Sequence, residues 1–417
     1  MKEVIKKLIA EFWDKDIDYI PRKKITEELA TAKSSIIITG PRRAGKSYTI
    51  YEIRDMIMKK GADKKDFLYI NFEDERLSEF KKEQLELLLE AYYEMREQKP
   101  IIFLDEIQNV ENWEKFARRL TDDGYKLVVT GSNSELLSRE ISNKLGGRLI
   151  ENRVYPLDFK EFLRFKKIEI KKEDFYSKER FRLKKYFEEY MLYGGFPEVA
   201  FFSDEENKKK VILTYFNLVF YKDLVTKKYV ENETALKFII KKLRENIGGV
   251  ITPRAIYTSL KNAGIDIGPN TVERYLQYLE ETFLVIPCKP FAKSVLKQEK
   301  KKRYLVDNGY IKIFEIKEDS SLLLENLVFM EFVKKGKEIY YYQGKKECDF
   351  IVEKEAVQVT YELNEENEKR EIEGILEAME VCGLEKGKII TYDQEKEIEK
   401  EGKKISVIPA WKWALTL

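Results

Sequence analysis

The sequence predicts an α/β chain: a parallel-sheet core carrying a phosphate-binding loop, then a helical stretch, then a second unit of mixed α/β type. Three observations predict it. Short, continuously apolar runs alternate with amphipathic stretches from Ser34 to about Leu157; a glycine-rich turn sits between the first such run and a helix; and strand-like runs return after Ser320. Continuous apolar strands need cover on both faces, which parallel sheets flanked by helices supply. At 417 residues the chain exceeds one typical core, so two or three are expected.

The elements follow in order. SSIIITG, DFLYINFED, PIIFLDEI, KLVVTGSN and RLIENRVYPL read as five strands, with periodic helical segments between them, so 1–157 forms the first domain. From Asp158 to about Val285, Phe, Leu and Tyr recur at three- and four-residue spacing, which reads as helix. After Ser320 the runs EIYYYQ, ECDFIV, AVQVTY, KIITYD and ISVIPA read as strands, with a helix near NEKREIEGILEAMEVCG.

Composition excludes several chemistries. The chain has no histidine, so Ser-His and Cys-His nucleophile pairs and imidazole metal ligands cannot be built. Cys288, Cys348 and Cys382 lie far apart and form no CxxC pair, which argues against zinc and a disulfide framework and for a reducing cytoplasm. Lys+Arg 77 against Asp+Glu 75 leaves a net charge of +2, so any basic surface is local. No run approaches the roughly 20 apolar residues of a membrane span, and the amino terminus lacks a signal-peptide pattern, so no membrane partner is expected. The abundance of Lys and Glu fits the surface ion-pair networks of a thermophile.

The chemistry-bearing segment is Gly40, Pro41, Arg42, Arg43, Ala44, Gly45, Lys46 and Ser47, a GxxxxGK[ST] loop placed directly after a strand and before a helix that starts with Ser47 and Tyr48. Backbone N–H groups and the helix amino terminus can close around phosphates there, Lys46 can reach the β and γ phosphates, and Ser47 can ligate Mg²⁺. The run IIFLDE ends a buried strand in Asp105, suited to the Mg²⁺ shell, and Glu106, suited to orienting and deprotonating water. KLVVTGSN ends in Thr130, Ser132 and Asn133 at the same sheet edge, with Asn133 the candidate γ-phosphate sensor. ATP and Mg²⁺ are therefore the expected cofactors.

Together with DEIQ and TGSN, the later segments LGGR ending at Arg148, PLDF and GGFPE make the chain resemble the AAA-type P-loop ATPases of archaea and bacteria that carry an accessory C-terminal region. The resemblance spans essentially the whole chain. It implies an AAA+ core of the additional-strand, catalytic-glutamate kind, with residues 158–235 as a helical lid. It also implies that Pro197, in GGFP, packs on adenine, and that Arg148 senses the γ-phosphate or acts as a finger, with Arg42, Arg43 and Arg139 as rivals. An oligomer is compatible with that role.

Residues 236–315 read as a winged-helix-like module: ITPRAIYTSL and GPNTVERYLQYLE are helices around a turn, capped by Thr252 and by Asn270 or Thr271, and FLVIP with KSVLKQEKKKRYLVD forms the wing. Its candidate contacts to duplex or branched DNA are Asn270, Arg274, Lys297, Lys300, Lys301, Lys302 and Arg303. Residues 316–417 look like a PD-(D/E)XK nuclease core, a restriction-endonuclease-like fold, in degenerate form. Glu325 and Asp349 occupy acidic positions, Gln358 replaces the second acid, and Thr360 replaces the lysine, so the cation is lost unless Lys369 or Arg370 supplies it. The expected function is a Mg-dependent ATPase acting as a switch or motor, with nuclease activity disfavoured. An ATP-regulated nuclease and a nucleotide-switched signalling scaffold are the alternatives.

Overall fold

The computed structural model describes residues 1–22, 24–137, 139–292, 300–314 and 319–417. They fall into two compact units, Met1–Tyr155 and Pro156–Leu417. The later three of the four expected segments thus lie in one unit.

The first unit is built on five parallel strands, β1 (Ser35–Thr39), β2 (Phe67–Asn71), β3 (Ile101–Asp105), β4 (Leu127–Gly131) and β5 (Leu149–Arg153), in the order β2-β3-β4-β1-β5. Strand β4 is inserted between β1 and β3, which is the additional-strand arrangement expected. Every residue of β1 and β4 is buried, as strands covered on both faces must be. Because all five run the same way, the phosphate-binding loop after β1, the carboxylates ending β3 and the TGSN segment ending β4 meet at one sheet edge.

The second unit holds a mixed sheet of eight strands in the order β12-β13-β11-β10-β9-β8-β6-β7. Its members are β6 (Val285–Pro290), β7 (Lys302–Leu305), β8 (Ile339–Gln343), β9 (Glu347–Val352), β10 (Glu355–Val359), β11 (Lys386–Thr391), β12 (Lys396–Lys400) and β13 (Lys403–Pro409). The antiparallel pair β6–β7 stands where the wing was expected, with residues 293–299 of that segment outside the described residues, but β6 also pairs in parallel with β8, so the pair belongs to the C-terminal sheet. The helices Pro253–Asn262 and Pro269–Glu281 form the expected helix pair; Thr252 caps the first, whereas Gly268 stands at the cap of the second in place of Asn270 or Thr271. Strand β12, a charged edge strand, is an element the apolar pattern does not announce.

Candidate nucleotide site

The loop between β1 and the helix Lys46–Lys59 turns through left-handed backbone at Arg43 (φ 63°) and Gly45 (φ 99°). Pro41, Arg42, Ala44 and Lys46 are buried, while Arg43 is exposed. Arg42 pairs with Glu73 at 2.6 Å, and Tyr48 is half exposed and meets the Tyr51 ring edge-on. Arg22 donates through Nη1 to the Ala44 carbonyl at 2.6 Å, pinning the loop from the amino-terminal segment. Sequence reasoning missed this residue, since no motif links it to a loop twenty residues away.

Two carboxylates close the other side. Asp105 is buried and accepts from Ser47 Oγ at 2.7 Å, from Tyr69 Oη at 3.0 Å and from the Thr130 hydroxyl. Burial first, then the Glu106 charge, raises its pKa against these three donors. Ser47 and Asp105 therefore present adjoining oxygens, the donor chemistry a hard cation such as Mg²⁺ takes. Glu106 sits in left-handed backbone (φ 53°), held there by a bond from its N–H to Thr130 Oγ1 at 3.0 Å. Its Oε1 lies 3.2 Å from Lys46 Nζ, which also donates to the Pro41 carbonyl at 3.2 Å. Its Oε2 accepts from Gln108 Nε2 at 2.5 Å. Burial pushes the Glu106 pKa up, but Lys46 and Arg42, helped by Gln108 and Ser132, outweigh it and bring it down to about 2. The structure thus gathers Lys46, Ser47, Asp105 and Glu106 at the edge where β1, β3 and β4 end.

The remaining expected residues are more dispersed. Asn133 lies just past β4, partly buried. Arg148 pairs with Asp122 and donates to the Leu145 and Gly146 carbonyls, at 3.3 and 3.4 Å. The Arg139 side chain lies outside the described residues. Pro197, half buried, belongs to the second unit and follows two glycines with internal roles. A Cβ on Gly194 (φ 74°) would fall 1.6 Å from the Asp307 carboxylate, and one on Gly195, whose carbonyl accepts from Leu157 N, would fall 2.2 Å from the Leu157 carbonyl oxygen.

The expected wing contacts need correction. Lys302 is wholly buried, and Arg303, 6% exposed, is bound to Glu280 and the Ile251 carbonyl, so neither side chain is free to meet phosphate. Lys301 pairs with Glu280 at 3.2 Å, Lys300 is exposed, and Lys297 lies outside the described residues. Asn270 and Arg274 are exposed.

Lys302 instead lies among the acids of the expected nuclease-like centre. Its Nζ lies 2.5 Å from Glu347 Oε1, 3.8 Å from Asp349 Oδ1 and 4.0 Å from Glu325 Oε1, without in-line hydrogen-bond geometry to any of them. Burial alone would lower its pKa; Asp349, Glu325 and Glu347 outweigh that and hold it above the ordinary lysine value. A cation does stand beside these acids, and it comes from β7 rather than from Lys369 or Arg370. Thr360 lies past the end of β10, where its hydroxyl donates to the Glu362 carbonyl. Lys369 is largely exposed and pairs with Glu373, and Arg370 pairs with Glu371. The other centre oxygens have internal donors: Asp349 Oδ2 accepts from Val359 N at 2.9 Å, Gln358 Oε1 from Asp349 N at 3.2 Å and Glu325 Oε1 from Tyr304 Oη at 2.8 Å. Among the described residues no group of three or more His, Cys, Asp or Glu side chains is set to hold a metal ion, and no helix is long and apolar enough to cross a membrane.

Comparison with known proteins places this geometry. Residues 32–163 match the model of the family AAA_14, described as an AAA domain, and residues 184–318 match a domain of unknown function, DUF8612. The uncharacterized protein MJ1544 of Methanocaldococcus jannaschii is 36% identical over 394 residues, covering 91% of this chain and 88% of its own. An uncharacterized protein of Haemophilus influenzae is 33% identical over 343 residues, covering 79% of this chain and 83% of its own. Among solved structures, the Aeropyrum pernix ORC1 protein in complex with DNA aligns distantly, with a TM-score of 0.31 and 12% identity over 80% of this chain and 92% of that one. With a phosphate-binding loop, paired carboxylates and an inserted central strand at one sheet edge, the chain belongs to the AAA-domain family of MJ1544, as an α/β P-loop ATPase with an additional C-terminal sheet unit.

Proposed function

We propose that the chain hydrolyses ATP with Mg²⁺ and uses the cycle as a conformational switch or motor. The supporting observation is the convergence of Lys46, Ser47, Asp105 and Glu106 at one edge, with Glu106 held in left-handed backbone. In this reading Lys46 leaves Glu106 for the β and γ phosphates, and the backbone of 40–47 cradles them. Ser47 and Asp105 hold Mg²⁺, which would neutralise charge developing on the phosphates. Glu106, freed from Lys46, orients and deprotonates the attacking water, and Asn133 contacts the γ-phosphate. Arg148, tied to Asp122 within one chain, serves as a finger only if an oligomer presents it to a neighbour. Lys46→Ala tests the phosphate role: nucleotide affinity should fall at least tenfold and turnover should vanish. Unchanged affinity sinks it.

DNA is the partner proposed for the second unit, supported by the exposed Asn270 and Arg274 on the second helix of the pair. The nuclease-like centre is read as non-cleaving, because Gln358 stands where a second acid is expected, and Asp349 Oδ2 and Glu325 Oε1 are already bonded to internal donors.

A further inference from the structure

Gln108, two residues past the general base, belongs to none of the roles assigned above, yet it touches two of the motifs. Its Nε2 donates to Glu106 Oε2 at 2.5 Å and lies 3.3 Å from Ser132 Oγ, beyond the end of β4. That contact sets the amide's orientation, since turning it over would place oxygen against a carboxylate. The other end, Oε1, is then buried without a hydrogen-bond partner. It lies against Gly131: a Cβ there would fall 2.5 Å from Oε1 and 1.9 Å from Leu136, so the glycine of TGSN is what admits the Gln108 side chain. A buried amide oxygen without a donor costs free energy unless something supplies a proton.

We infer that Gln108 is a positioning residue for hydrolysis, holding the Glu106 carboxylate in line with the attacking water and coupling it to the end of β4. The inference rests on the reading of Glu106 as general base. The Glu106 carboxylate is held by Lys46 on one oxygen and by Gln108 on the other, with Ser132 beside them. Phosphate draws Lys46 away, so the amide remains as the restraint that keeps the carboxylate from swinging in its left-handed perch. Ser132 shares the same amide hydrogens, so a shift of the β4 end on γ-phosphate contact reaches Glu106 through Gln108.

The test is steady-state kcat and KM for ATP of wild type, Gln108→Met, which keeps length without the amide, and Gln108→Glu, which keeps shape and adds a charge. Nucleotide affinity and the unfolding midpoint are measured alongside. A charge-assisted hydrogen bond lost from the base should lower kcat about 10–100-fold in Gln108→Met, with affinity within threefold of wild type. The loss should fall on kcat with KM for ATP within threefold of wild type, and Gln108→Glu, whose charge repels the Glu106 carboxylate, should lower kcat further. Reduced kcat accompanied by a matching loss of nucleotide affinity or a lowered unfolding midpoint assigns Gln108 a packing role only and overturns the inference, as does wild-type kcat in Gln108→Met. Failure of the underlying reading looks different: it appears as wild-type turnover in Glu106→Gln, or as no turnover in the wild type at all.

Discussion

Replacing Lys302 with Met removes one charge from the interior while keeping most of the chain's volume. The ammonium is 0% exposed and has carboxylates at 2.5, 3.8 and 4.0 Å. At an effective dielectric of about 20, each such pair carries roughly 4–7 kcal/mol of gross attraction. Desolvation of the charged groups consumes most of it, and deleting one partner of a buried pair costs about 3–5 kcal/mol net. For a unit of this size that is a fall of about 6–20 °C in the unfolding midpoint. The sign of the pH dependence follows from Asp349 and Glu325. Burial already raises both pKa values, with Lys302 opposing, so the variant raises them further. A carboxyl whose folded pKa is raised destabilises the fold once pH exceeds its unfolded value, and the penalty grows until pH passes the folded value. The deficit of Lys302→Met should therefore be small near pH 4 and grow as pH rises. Adding Asp349→Asn should recover part of it. The assay is thermal unfolding of both variants and wild type across that range. A midpoint equal to wild type at pH 7, or a deficit that does not change with pH, would refute the charge-lock account.

Two further outcomes follow. Wild-type protein should leave supercoiled plasmid intact in Mg²⁺ and Mn²⁺, and Mn²⁺ should not raise its unfolding midpoint; cutting that disappears in Asp349→Ala would make the centre a nuclease. Arg274→Ala should weaken duplex binding at least severalfold and flatten its salt dependence by about one unit of slope, whereas Lys301→Ala, already paired with Glu280, should change it less; equal affinity for wild type and Arg274→Ala in low salt removes the helix pair as the DNA contact.

The nucleotide edge was legible because its chemistry is local: a strand, a glycine loop and a helix stand in sequence, and Asp105 and Glu106 end a run whose apolar residues need no tertiary context to be read as buried. What escaped were residues whose meaning comes from distant chain. Arg22 gains its role from Ala44, and Gln108 from the space left by Gly131. Lys302 misled most. In sequence it is one of several lysines in a run that reads as solvated or phosphate-facing, but strand alternation in β7 and the pairing of Cys288 with Lys302 turn it inward among carboxylates of two other elements. Thr360 lies one residue past β10, which ends at Val359, and its N–H still bonds to the Ile390 carbonyl of β11.

The central claim is that Glu106 deprotonates water while Lys46 and the loop bind phosphate. The most direct measurement is nucleotide affinity and single-turnover ATP hydrolysis of wild type and Glu106→Gln under identical Mg²⁺. The account predicts affinity within threefold of wild type and hydrolysis slower by about 10²–10⁴-fold. Hydrolysis at the wild-type rate in Glu106→Gln would contradict it.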